Sequence, residues 1–134
     1  MTFIDTNVLV YSVDGNSPEK QAIAKSIVMR AIQSESFLVS AQVLNEFANV
    51  ALLKLKLSPE ETGKFVSFFS RIRGVALECE WTSRALEVKG RYGLQLFDAL
   101  LIAAAEANGC DEILTEDLND GQTYCGVRAK NPFR

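Results

Sequence analysis

Four carboxylates stand where the surrounding apolar pattern does not favour them. Asp5 interrupts "MTFIDTNVLVYSV", between Phe3–Ile4 and Val8–Val10. Glu46 falls three residues after Val43 and four before Val50, so on a helix it shares their face. Asp98 opens the otherwise almost uniformly apolar "LFDALLIAAAEANG", and Asp117 closes the segment "DEILTED". A carboxylate on an apolar stripe loses hydration unless it reaches a cleft or meets positive charge. The chain has no histidine, which removes the commonest general base, the commonest metal ligand and any Ser/His/Asp triad. Hydrolytic chemistry here falls to carboxylates and a metal-bound water, and hard oxygen ligands suit Mg²⁺ or Mn²⁺.

Taken singly, each acid also has a plainer role. Asp5 can begin a turn, Glu46 can extend to solvent at the rim of its stripe, Asp98 can cap its helix, and Asp117 can sit in a loop. Taken together, the four come from separate segments, with no histidine or lysine at hand to neutralise them.

The elements that must position these acids are read from periodicity and capping residues. Thr2 to Ile4 is a short strand, followed by the helix "NSPEKQAIAKSIVMRAIQ", capped by Ser17, with Pro18 in its first turn and Ile23, Ile27 and Ala31 on its inner face. "SFLVS" is the second strand, leading into a helix from about Ala41 to Leu55. Ser58, Pro59 and Glu61 form a capping box before "LSPEETGKFVSFFSRI", whose stripe is Phe65, Phe68, Phe69 and Ile72. "GVALE" is a third strand, and "WTSRALEVKGR" a helix packing Trp81, Ala85 and Val88. The helix bearing Asp98 lacks a polar face, so it belongs at the middle of the domain. "DEILTED" is a fourth strand and "GVRAK" a fifth at an edge. Alternating strands and helices imply an α/β fold: a three-layer α/β/α sandwich with a mostly parallel sheet of four or five strands, in one domain spanning 1–134. In such sheets ligands bind beyond the carboxyl ends of the strands, where Asp5 and Asp117 both open onto one crevice.

With the elements in place, four segments resemble the motifs of the PIN domain family, in particular the VapC-type toxin ribonucleases of toxin–antitoxin pairs. "FIDTNVLVY", "SAQVLNEF", "LFDALLIAAA" and "ILTEDLNDGQ" match its motifs in order over nearly the whole chain. The resemblance implies a metal-dependent endoribonuclease in which Asp5, Glu46, Asp98 and Asp117 bind one or two Mg²⁺ or Mn²⁺ ions. It also implies products with 5′-phosphate and 3′-hydroxyl ends. Thr6, Asn7 and Thr115 are then the polar support: Asn7 holds a carboxylate or a metal-bound water, and Thr115 orients Asp5 or Asp117. Thr6 reads equally as a satisfied buried hydroxyl. Glu116 and Asp120 flank Asp117, and Glu116 is kept as a supporting group. The implied partners are an RNA substrate, a small antitoxin whose C-terminal segment covers the active-site groove, and a second copy of the chain in a homodimer.

A net charge of −3 is unusual for a protein that binds a polyanion, but two divalent ions change it to −3 + 4 = +1. Paired cations such as Lys54 and Lys56, or Arg71 and Arg73, remain for phosphates. The best candidates are Arg128, Lys130 and Arg134 in the tail. Cys79, Cys110 and Cys125 are widely spaced and odd in number, as free thiols in a reducing compartment would be. No basic cluster precedes an apolar leader, and no segment is long enough for a membrane span, so the expected location is cytoplasmic. Rival α/β readings fit less well: a haloacid-dehalogenase-like phosphatase needs an aspartate where Asn7 stands, and "GVALECEW" offers a receiver domain no aspartate. The rival from another class is a catalytically silent PIN-like domain that binds RNA or a protein.

Overall fold

The computed structural model describes residues 1–134. Strand β1 (Thr2–Ile4) leads into helix α1 (Thr6–Val13), then α2 (Pro18–Gln33), β2 (Phe37–Ser40), α3 (Ala41–Leu53) and α4 (Pro59–Phe69). Strand β3 (Gly74–Val75), α5 (Glu80–Tyr92), α6 (Leu96–Ala107), β4 (Glu112–Leu114), β5 (Thr123–Tyr124) and β6 (Val127–Lys130) complete the chain. The fold is α/β, with a mostly parallel sheet flanked by helices.

The sheet has six strands in the order β3-β2-β1-β4-β6-β5, all parallel except β5. This exceeds the expected four or five. The additional strand is β5, joined to β6 by the two-residue turn Cys125–Gly126. Both turn residues have positive φ, 50° and 82°, as a type I′ hairpin requires. Cysteine rather than asparagine at the first position hides that turn in the sequence. β6 accordingly lies between β4 and β5 and is not the edge. β3 shrinks to two residues.

Adjacent residues of a strand point to opposite faces, and Phe3 and Ile4 are both fully buried, so both faces of the central strand are covered. Helices α1 to α4 pack on one another, whereas α5 packs on α6, and α6 on β4 and β6. Arg84 fastens the second pair, with Nε and Nη2 donating to the two carboxylate oxygens of Glu106 at 2.8 and 2.9 Å. In the first group Phe47 of α3 meets Phe69 of α4 edge-on, ring centres 4.8 Å apart.

Side-chain caps start α1, α3 and α4, whereas Ser17 stands at the start of α2 as expected but makes no capping hydrogen bond. The Ser58 box is complete, its hydroxyl accepting from the Glu61 N–H while Glu61 accepts from the Ser58 N–H. Trp81, Ala85 and Val88 are the buried residues of α5. On α2 the inner face is Ala24, Ile27, Val28 and Ala31, whereas Ile23, expected inside, is 38% exposed. α3 ends at Leu53 rather than Leu55. In α6, Ala99 and Leu101 to Ala105 are buried, but Phe97 is 65% exposed at its first turn.

Helix α1 had no assignment in the sequence. Thr6, Val8, Val10 and Val13 are β-branched and favour strands, but Asp5 ends β1 in extended backbone, accepts the Thr6 N–H at 2.6 Å and starts the helix. Packing against α2 and α3 then overrides propensity.

Candidate active site

The switch point of the sheet lies beside β1. From β1 the chain crosses to β2 on one side, and it later returns to β4 on the other. The carboxyl ends of β1 and β4 therefore open together, and β2 delivers α3 beside them through Ser40, whose hydroxyl accepts the Val43 N–H. An open cleft of about 480 Å³ lies here, lined by Thr6, Asn7, Tyr11, Glu46, Lys54, Glu116 and Asp117 among others.

Asp5 is buried at the carboxyl end of β1. Its Oδ2 accepts from the Thr115 hydroxyl at 2.7 Å, and the same hydroxyl accepts from the Asp117 N–H at 3.0 Å. Thr115 therefore orients both acids. Burial pushes the Asp5 carboxyl up to about 7, against the pull of the Thr115 and Thr6 hydrogen bonds, with Asp117 and Glu46 adding to the rise.

Glu46 holds its place on α3 through two donors. The Thr6 hydroxyl donates to Oε2 and Gln42 Nε2 to Oε1, each at 2.8 Å. Thr6 is thus a bonded partner of a candidate acid. Gln42 also donates to the Phe97 carbonyl at 3.3 Å, tying α3 to the first turn of α6, where Asp98 sits. Sequence reasoning missed Gln42, although its i, i+4 spacing from Glu46 was the available signal.

Asp98 is the third residue of α6, partly buried, with no protein hydrogen bond to its side chain; the N-cap is Gln95. Burial raises its pKa, and Asp117 and Glu46 raise it further. Asp117 is exposed and accepts from Asn7 Nδ2 at 3.1 Å.

Glu46 and Asp117 thus lie within electrostatic reach of both Asp5 and Asp98, and none of the ion pairs in the structure includes any of the four. As the side chains stand, no three acidic or thiol groups are close enough together to grip one ion. Each of Asp5, Glu46 and Asp117 leans on a neutral donor instead. The donor set nevertheless fits a hard divalent cation: carboxylate oxygens without counter-charge, together with Asn7 Oδ1, which is buried with no hydrogen-bond partner.

The flanking acids separate. Glu116 accepts from the Tyr11 hydroxyl at 2.7 Å and pairs with Lys20 at 3.2 Å, so a lysine does stand beside the cleft, though it neutralises none of the four. Lys20 is far from Glu116 in sequence and gave no signal. Asp120 turns away, accepting the Asn131 N–H and lying 4.0 Å from Arg134. Arg128, Lys130 and Arg134 do come together, but in a separate groove of about 400 Å³ that shares no residue with the carboxylate cleft.

A model of the PIN domain matches residues 2–119. The chain belongs to the PIN domain family. No curated protein is significantly similar to it in sequence. Among solved structures, this PIN domain resembles VapC20 of Mycobacterium tuberculosis, described as a sarcin–ricin-loop-cleaving toxin (15% identity, 87% of this chain and 92% of that one, TM-score 0.68). It also resembles a toxin–antitoxin complex from Klebsiella pneumoniae (18% identity, 98% of each chain, TM-score 0.70). A third neighbour is VapBC2 of Rickettsia felis bound to a promoter DNA fragment (17% identity, 97% of each chain, TM-score 0.70). At these identities the likeness is one of fold. No helix is long and apolar enough to cross a membrane.

Proposed function

We propose that this PIN domain is a divalent-metal-dependent endoribonuclease, the toxin of a toxin–antitoxin pair, with residues 1–134 acting as one nuclease domain. The observation that carries the reading is the meeting of Glu46 and Asp117 in one cleft at the switch point of the sheet, with Asp5 joined to Asp117 through Thr115 and Asp98 close enough to Glu46 and Asp117 for their charges to disfavour its own. Those four acids would hold one or two Mg²⁺ or Mn²⁺ ions, which when bound supply Lewis acidity and an activated water. The chain's own residues do the positioning. Thr115 fixes Asp5 relative to Asp117, Thr6 and Gln42 aim Glu46, and Asn7 steadies Asp117 while its buried oxygen has no protein partner. Neighbours solved as toxin–antitoxin complexes support an antitoxin partner. A homodimer and cytoplasmic location complete the reading.

The test is cleavage of a mixed RNA pool by purified protein. Cleavage is expected with Mg²⁺ or Mn²⁺, and loss of it with chelator. Glu46→Gln keeps the shape of the side chain and its two neighbours but removes the charge, so it should retain the native circular dichroism and lose most cleavage. Unchanged activity at saturating Mg²⁺ refutes the role of Glu46. One observation favours the rival, an RNA- or protein-binding domain that does not cleave: the acids do not close into an ion-ready group by themselves. RNA binding without cleavage under any divalent ion would decide for it.

A further inference from the structure

Lys20, in the first turn of α2, reaches across to the segment after β4. Its ammonium donates to Glu116 Oε2 at 3.2 Å and to the Tyr11 hydroxyl at 3.1 Å. It also lies 4.6 Å from the centre of the Tyr11 ring and 5.7 Å from that of Phe133. The two rings meet edge-on, so the lysine is seated on a built aromatic corner. Both its hydrogen-bond partners line the carboxylate cleft. An ammonium has three donors, two are used here, and the side chain remains 38% exposed. Lys54 is the one cation among the residues lining the cleft, and Lys20 stands beside it through Tyr11 and Glu116.

A phosphodiester strand entering a cleft lined by Glu46, Glu116 and Asp117 needs cations at the rim to offset repulsion. Lys20 is already ordered by two rings and a carboxylate, so little rotamer freedom remains to be lost when a phosphate takes its third donor. We propose that Lys20 contacts a backbone phosphate of single-stranded RNA, and that Glu116 restrains it by competing with that phosphate for the ammonium. The inference rests on the nuclease reading and adds a substrate-positioning pair to it. Its consequence is a difference in sign. Losing Lys20 weakens RNA binding, whereas losing the charge of Glu116 strengthens it.

The experiment measures equilibrium binding of a short, mixed-sequence, single-stranded oligoribonucleotide to the full chain across a salt series with Mg²⁺. The Glu46→Gln background keeps the strand intact. Lys20→Gln should weaken binding several-fold and reduce the slope of log K against log salt by about 0.7, the value for one phosphate contact on a single strand. Lys20→Arg should restore both. Glu116→Gln should tighten binding several-fold, and that gain should vanish in the Lys20→Gln background. A purely structural ion pair would move melting temperature and leave the salt slope alone. An unchanged slope in Lys20→Gln, with the unmodified protein still cleaving RNA, overturns the inference and leaves the nuclease reading standing. Failure of the unmodified protein to bind or cleave RNA overturns both.

Discussion

Thr115 is where the two ends of the site meet, because one hydroxyl can donate to Asp5 and accept from the Asp117 N–H at the same time. Thr115→Val keeps the shape and loses both bonds, leaving a buried carboxylate oxygen without its donor. The expected cost is about 1–3 kcal/mol in denaturant unfolding, together with a large loss of RNA cleavage. Normal stability and activity would mean that water replaces the hydroxyl. Asp98 poses the opposite case. Burial and two neighbouring acids disfavour its charge, and no helix-capping bond offsets this. Asp98→Asn at nearly constant volume should therefore melt above the parent in chelator, lack activity and gain less than the parent from added Mg²⁺. A variant melting below a parent that ignores Mg²⁺ would show that Asp98 serves only its helix.

At the scale of elements, the acids depend on how helices start and stop. α5 ends at Gly93 with φ 69°, the left-handed conformation that lets the chain reverse into α6, whose first turn carries Asp98. Nothing lies within 4 Å of the position a Cβ would take there. Gly93→Ala therefore isolates the backbone strain, with an expected loss of about 1 kcal/mol and a proportionate fall in melting temperature. A much larger loss would mean that the α5–α6 turn rearranges. α1 is the complementary example. Its β-branched residues disfavour a helix, and Asp5 serves as its cap as well as a candidate ligand. One residue thus ends the strand, starts the helix and places a carboxylate at the switch point.

For the whole molecule, the cluster should set the pH dependence of stability without metal. Asp5 is raised from 3.8 to about 7, so between those values the folded state holds a proton that the unfolded chain has released. Stability then falls as pH rises through this window and is least above about 7. Asp98, also raised, acts in the same direction. Glu61 and Glu106, both lowered by hydrogen bonds, have the opposite sign, contributing stability that is lost as pH falls through their folded values. In chelator, the melting temperature should rise as pH drops from about 8 to about 5, and Asp5→Asn should flatten that rise. Excess Mg²⁺ should stabilise the parent by about 2.7 kcal/mol at a hundred times its dissociation constant, more at pH 8 than at pH 5, because carboxylates must lose protons to bind it. Melting curves across pH, with and without Mg²⁺, check both statements.

Several features were local enough to be read from the chain alone. The Ser58 capping box, the Trp81, Ala85 and Val88 face, the apolar run after Asp98 and the four misplaced carboxylates each depend on residues a few positions apart, and periodicity and capping report that range directly. With the motif order, they were sufficient for the fold class and the family. Other features depend on pairings that no local pattern encodes. β5 exists because Thr123 and Tyr124 find β6 across a turn whose first residue is cysteine. Ile23 lies outside because the neighbours of α2 cover Ala24 and Val28 instead. The tail cations gather in their own groove with Glu112 and Asp120, away from the four candidate acids. Lys20 meets Glu116 across 96 residues of chain, and Thr6 meets Glu46 across 40. The sequence supplies the ionisable groups; only the tertiary packing brings distant ones within hydrogen-bond reach and shifts their protonation, because closing those separations takes the whole sheet.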